Sequence, residues 1–159
     1  MFKSILVGID GSDQSTKALI TAAGMAQEYG ADLHIFHAVS HHYEKNAILV
    51  STLTAGDLDQ QILSRDSIQQ SYEEAGERIL AQAKAILLKT GLYDGEHTRF
   101  HLEKGLSPAE FAIAFAAENR ADLVVVGDTG HHSRFRQGPT GSVTSKILNE
   151  VPCEVLIVR

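Results

Sequence analysis

A chain of 159 residues, 43% apolar and 21% charged, has the size and composition of one globular domain and suggests neither a fibrous repeat nor a disordered chain. Its formal net charge of −6 at pH 7 argues against nucleic acid as a partner, because proteins that grip polyanions gather Lys and Arg on one face. Any phosphate bound here must be held by local groups.

The longest relevant apolar run, Phe111 to Ala117, falls far short of the roughly 20 residues a membrane span requires, so a soluble protein without a membrane partner is expected. The opening Met-Phe-Lys-Ser enters a strand-like stretch with no signal-peptide pattern, and the expected location is cytoplasmic. Cys153 is the only cysteine, which excludes an internal disulfide and a Cys-rich metal site and reads as a small core residue.

Ser4 to Ile9 is nearly continuous apolar sequence ending in Asp10-Gly11-Ser12, the pattern of a parallel strand covered on both faces. Ala18, Leu19, Ala22, Ala23, Met25 and Ala26 then recur at helical spacing, with Ser12 or Asp13 as N-cap and Gly30 as the stop. Asp32 to Val39 reads as a second strand, joined to the first by a right-handed parallel crossover. Ser40 to Gly56 has no period and is left unassigned.

From Asp57 to Lys89 the positions Ile62, Tyr72, Ala75, Ile79, Ala83, Ile86 and Leu87 mark a long helix that stops at Gly91. His97 to Leu102 reads as the third strand. Ser107-Pro108-Ala109-Glu110 combines an N-cap serine, a first-position proline and a glutamate three residues after the cap, a strong helix start. Phe111, Ala112, Phe115 and Ala116 supply that helix's buried face. Asp122 to Val126 is a fourth buried strand ending at Gly127. A last helix carries Val143, Ile147 and Leu148 with Ser142 as its cap, and Cys153 to Val158 is the fifth strand. This alternation predicts one α/β domain over residues 1–159 with a mostly parallel sheet.

Ligands of open α/β sheets bind beyond the carboxyl ends of the strands. Two strand ends carry the chemistry. Ile9-Asp10-Gly11-Ser12 places an acid ahead of a helix N-terminus. Val126-Gly127-Asp128-Thr129-Gly130, followed ten residues later by Gly141-Ser142-Val143-Thr144, offers glycines for close backbone approach, a helix N-terminus for an anion, and hydroxyls. Arg134 and Arg136, in the loop between, are candidates to neutralise phosphate.

The pairs His41-His42 and His131-His132 follow the second and fourth strands. Adjacent histidines rarely face one ion, and no carboxylate stands at ligand spacing beside them, so no metal site is expected. His34, His37, His97 and His101 read as structural. There is no Gly-x4-Gly-Lys-Ser/Thr loop and no Gly-x-Ser-x-Gly elbow, so binding is favoured over catalysis, with at most slow hydrolysis.

Ile5 to Ser12, the Gly105-Leu106-Ser107-Pro108 helix start, Leu123 to Gly127, Gly141-Ser142-Val143 and Val151 to Val158 together resemble the universal stress protein family along the whole chain. The resemblance implies a three-layer domain with a five-stranded parallel sheet of order 3-2-1-4-5, usually a dimer, and in one branch an ATP site marked Gly-x2-Gly-x9-Gly-Ser/Thr. It implies ATP or AMP as ligand, with Mg2+ accompanying the triphosphate. Asp10 is then expected to face the adenine and Val39 to pack near the base. Gly127 and Gly130 line the ribose and phosphates, and Gly141, Ser142, Val143 and Thr144 hold the phosphate tail.

Here ten residues, not nine, separate Gly130 from Gly141. An extra loop residue costs little in closure entropy, and a bulge is the expected result. The implied function is a nucleotide-binding stress-response module with a protein partner that the sequence does not name. The alternatives are a slow ATPase or phosphotransferase, and a dimeric interaction module of the same fold that binds no nucleotide. The apolar strand Cys153 to Val158, expected at the sheet edge, is the expected homodimer contact.

Overall fold

In a computed structural model, residues 1–39, 55–128 and 141–159 are described, with backbone only for 55–65. The elements run β1 (Ser4–Gly8), α1 (Asp13–Tyr29), β2 (Asp32–Ala38), α2 (Ala55–Thr90), β3 (Thr98–Glu103), α3 (Pro108–Asn119), β4 (Leu123–Gly127), α4 (Ser142–Glu150) and β5 (Glu154–Val158). All strand pairings are parallel, and the order is β3-β2-β1-β4-β5. Both the α/β class and this order match the expectation from the sequence. The unassigned stretch from Ser40 lies, up to residue 54, outside the described residues, and α2 begins two positions before the expected Asp57.

The near-continuous apolar strands are explained by a core on each face. Ile5 and Val7 join Leu19, Ile35, Leu87 and Val125 under α1 and α2. Leu6, one residue out of phase, joins Phe36, Ala112, Val124 and Ile147 under α3 and α4. Both faces of β1 are thus removed from water, each full aliphatic side chain contributing about 1.5–3 kcal/mol. Cys153 lies half-buried beside the second core, outside β5, and burial pushes its thiol pKa up.

Helix starts follow local chemistry. The Ser12 hydroxyl accepts the Ser15 N–H at 3.1 Å to open α1. Ser107 and Glu110 form the expected reciprocal capping box at α3. Hydrogen bonds from Ser107 hold the Glu110 carboxyl below its ordinary pKa. The exception is α4, where the cap is Gly141 and Ser142 is already the first helical residue, so the cap residue brings no side chain to close the first turn. The sequence reading of Ser142 as the cap is corrected accordingly: Gly141 takes the extended cap conformation, φ −63° and ψ 156°, and leaves Ser142 inside the helix.

Opposite the strands' carboxyl ends, Asp122 ties the two halves of the sheet. Its Oδ2 accepts the N–H groups of Lys3 at 2.6 Å and Ser4 at 3.0 Å, and these bonds hold the carboxyl below the usual carboxylate range. His97 pairs with Asp32 at 2.8 Å, and that hydrogen bond raises the imidazole's pKa. Among the described residues no helix is long and apolar enough to cross a membrane.

Candidate functional site

The carboxyl ends of β2, β1 and β4 lie side by side, with β1 central and the strand order reversing about it. At β1, Ile9 continues the ladder by donating its N–H to the Phe36 carbonyl at 2.9 Å and is buried. Asp10 follows, its Oδ1 accepting the Ser12 N–H at 2.9 Å. Gly11 supplies the turn with φ of +80°, a conformation that side-chain-bearing residues rarely adopt.

At β2, Val39 donates its N–H to the Glu103 carbonyl at 2.8 Å and is 2% exposed. His37 lies beside it with Nδ1 2.8 Å from the Ile9 carbonyl. A carbonyl only accepts, so Nδ1 carries the proton. The structural reading of His37 becomes specific: it locks the end of β2 to the residue that precedes Asp10. It does so under Gly76 of α2, where an added Cβ would stand 2.9 Å from the His37 Cδ2.

At β4, Val126 is buried and Gly127 closes the strand. A Cβ on Gly127 would stand 3.1 Å from the backbone carbon of Gln14, so the first turn of α1 itself favours a glycine there. The Gly127 carbonyl accepts the Thr144 hydroxyl at 3.0 Å, and the Gly141 N–H donates to the Asp128 carbonyl at 3.2 Å. These two bonds stitch the end of β4 to the start of α4. Thr144 is buried by that contact, while Ser142 and Val143 are exposed on the opening turn.

Gly141 itself has a φ of −63° that any residue adopts, and a Cβ there would meet the Asp128 carbonyl at an ordinary 3.4 Å. Neither its conformation nor its packing among the described residues asks for glycine. Thr129, Gly130, Arg134 and Arg136 lie outside the described residues, as do the two histidine pairs.

The structure thus brings Ile9, Asp10, Val39, Val126, Gly127, Gly141, Ser142, Val143 and Thr144 to one end of the sheet. Sequence reasoning gave no weight to Asp128, whose backbone joins β5 and α4, or to Gly76, which reads only as a poor helix former. Among the described residues, no cluster of three or more His, Cys, Asp or Glu could hold a metal. A cavity of about 120 Å³ lies at the opposite end of the sheet beside Gln27, Tyr93 and His97. It is too small for a nucleotide, since drug-sized ligands occupy roughly 300–1,000 Å³.

His34 and His101 meet on the α3 face, Nδ1 to Nε2 at 3.1 Å, beside Phe115. Burial, and then the neighbouring His101, hold His34 below its ordinary pKa, and burial does the same to His101. This pair is a neutral donor and acceptor across the β2–β3 edge.

A sequence model described as the Universal stress protein family matches residues 1–159. Universal stress protein YxiE of Bacillus subtilis (strain 168) is 33% identical over 159 residues, covering 100% of both chains. Among solved structures, a universal stress protein in complex with cAMP superposes with a TM-score of 0.62 at 23% identity, covering 99% of this chain and 97% of that one. The universal stress protein from Archaeoglobus fulgidus in complex with dAMP gives 0.61 at 21% identity, covering 99% and 98%.

Proposed function

Because the chain belongs to the universal stress protein family, we propose that it is an adenine-nucleotide-binding regulatory module of the cytoplasm, taking ATP or AMP at the carboxyl end of its sheet. The observation that carries this reading is the start of α4. Helices α1 and α3 each close their first turn with a serine side chain, whereas α4 opens on a glycine with no side-chain cap. An uncapped N-terminus presents backbone N–H groups and the positive end of the helix dipole, which suits phosphate. A glycine at 141 that local structure does not require keeps that approach clear.

In this reading the phosphates sit on the amides of Ser142 and Val143, flanked by Gly127 and Gly130, with Arg134 and Arg136 supplying charge. Asp10 and the Val39 backbone border the adenine, and Mg2+ accompanies the triphosphate. The Thr144 hydroxyl, engaged by the Gly127 carbonyl, positions the loop. The two relatives solved with cAMP and dAMP support adenine as the base. Regulation fits better than catalysis, since the sequence has no phosphate-gripping lysine loop of the P-loop kind.

Calorimetry is the direct test. AMP and Mg2+-ATP are each expected to give saturable heat at or below millimolar concentration, and acid extraction of fresh protein is expected to release an adenine nucleotide. No heat and no extracted ligand would remove the reading.

The same family reading extends to assembly. β5 pairs only with β4, so one edge of it is open among the described residues, and an open edge invites a second copy. Leu156 packs on one core and Ile157 on the other, so lysine at either position would test folding before it tested assembly. Light scattering on unmodified protein avoids that ambiguity: twice the 17.3 kDa chain mass is expected, and a monomer mass at high concentration would refute the dimer.

A further inference from the structure

We propose that the Asp128 carboxylate is a protein ligand for the divalent cation carried by the bound triphosphate, an inference that rests on the nucleotide reading above. Asp128 is held by its backbone between the end of β5 and the start of α4. Its N–H donates to the Val158 carbonyl at 2.9 Å, and its carbonyl accepts the Gly141 N–H at 3.2 Å. The residue therefore cannot leave the start of α4 without breaking the β4–β5 ladder.

Its carboxylate is unequally served. Oδ2 stands 3.4 Å from the Nε of Arg159, a side chain 74% exposed. Oδ1 is sealed from solvent and has no hydrogen-bond partner, the one such side-chain atom among the described residues. A buried, unpartnered carboxylate oxygen is costly, and native structures retain such atoms where an ion, a water or a functional role supplies the missing partner.

No amide at the start of α4 is that partner, since Oδ1 accepts no hydrogen bond. A fixed negative charge at a phosphate seat would repel the ligand in a chain already carrying net charge −6. A hard divalent cation resolves both facts. Mg2+ takes oxygen donors and is commonly bound through one or two carboxylates together with substrate phosphates.

The test compares wild type with Asp128→Asn by calorimetry against AMP, against ATP with Mg2+ and against ATP with chelator, with the spectrum of bound Mn2+ as a direct readout. In wild type, Mg2+ is expected to tighten ATP binding. In Asp128→Asn that gain is expected to vanish and the bound-Mn2+ signal with it, while AMP affinity stays unchanged.

An unaltered metal gain in a folded Asp128→Asn protein overturns the proposal. So does an equal loss of AMP affinity, which would assign the carboxylate to a ribose hydroxyl. A wild type that binds no adenine nucleotide removes the underlying reading and this one with it, and is recognised by its silence towards AMP. Arg159→Gln, at an exposed side chain, provides a second arm. It removes the competing cation from Oδ2 and is expected to tighten Mn2+ binding in the presence of ATP. Weaker Mn2+ binding in that variant overturns the proposal even where Asp128→Asn fails to fold.

Discussion

Gly76→Val is expected to destabilise the domain by roughly 3 kcal/mol, lowering Tm by about 6–12 °C for a chain of this size. Glycine inside a helix ordinarily costs about 1 kcal/mol against alanine, so α2 keeps it for contact. A Cβ at Gly76 would stand 2.7 Å from Leu102 Cδ1, 2.9 Å from His37 Cδ2 and 3.4 Å from Val39 Cγ2. His37 has little room to yield, because its Nδ1 is bonded to the Ile9 carbonyl at 2.8 Å. The helix must therefore lift, opening the roof over Val39. Gly76→Ala gains helix propensity and adds one methyl, so its net cost should be smaller. Thermal unfolding of both variants checks the ranking. Equal Tm values for wild type and Gly76→Val would mean that α2 does not seat on β2 and β3 at this position.

Phe36→Ala is expected to cost about 3–5 kcal/mol, the range for removing a buried aromatic side chain. The ring is 2% exposed and lies 4.8 Å, centroid to centroid, from Phe111. It also covers Gly8, where a Cβ would stand 2.9 Å from its Cζ. That contact gives the argument an internal control. Gly8→Ala should be strongly destabilising alone and much less so with Phe36→Leu, whose shorter side chain vacates the space. Urea unfolding of the two singles and the double forms a thermodynamic cycle. Additive costs would show that the ring and Gly8 do not share the space, and would break the account of why a glycine closes β1.

How much of this was legible in the sequence depends on the range of the interaction. The α3 cap was readable because Ser107, Pro108 and Glu110 act within one turn. Both-face burial of β1 and β4 was readable because Ser4 to Ile9 and Leu123 to Val126 show no polar alternation. The cap of α4 was misplaced by one residue, since Gly141 and Ser142 are each acceptable caps and the contact to the Asp128 carbonyl decides between them. Gly127 was read as clearance for a ligand, yet the close pass of Gln14 already favours it. That close pass joins two segments more than a hundred residues apart. Separation along the chain also hid the His34–His101 pair, 67 residues apart, which depends on the register His34↔Arg99 and Phe36↔His101, and the role of Gly76, visible only once α2 is laid on the sheet.

The central position of β1 carries a kinetic consequence. β1 meets β2 after a single helical crossover, but it meets β4 only across more than a hundred residues, the register running Ile5↔Leu123 to Val7↔Val125. Contacts of such sequence separation close a long loop before they return any energy, and topologies rich in them fold slowly. The half-sheet β1-β2-β3 can therefore assemble first, with Asp10 and Val39 already in place. Gly127 and α4 arrive with the second half, when Asp122 engages the amides of Lys3 and Ser4. A ligand that touches both halves binds only the completed sheet, so it draws the chain toward the closed state by mass action; in a cell, its concentration would set how long the final seam between β1 and β4 stays shut.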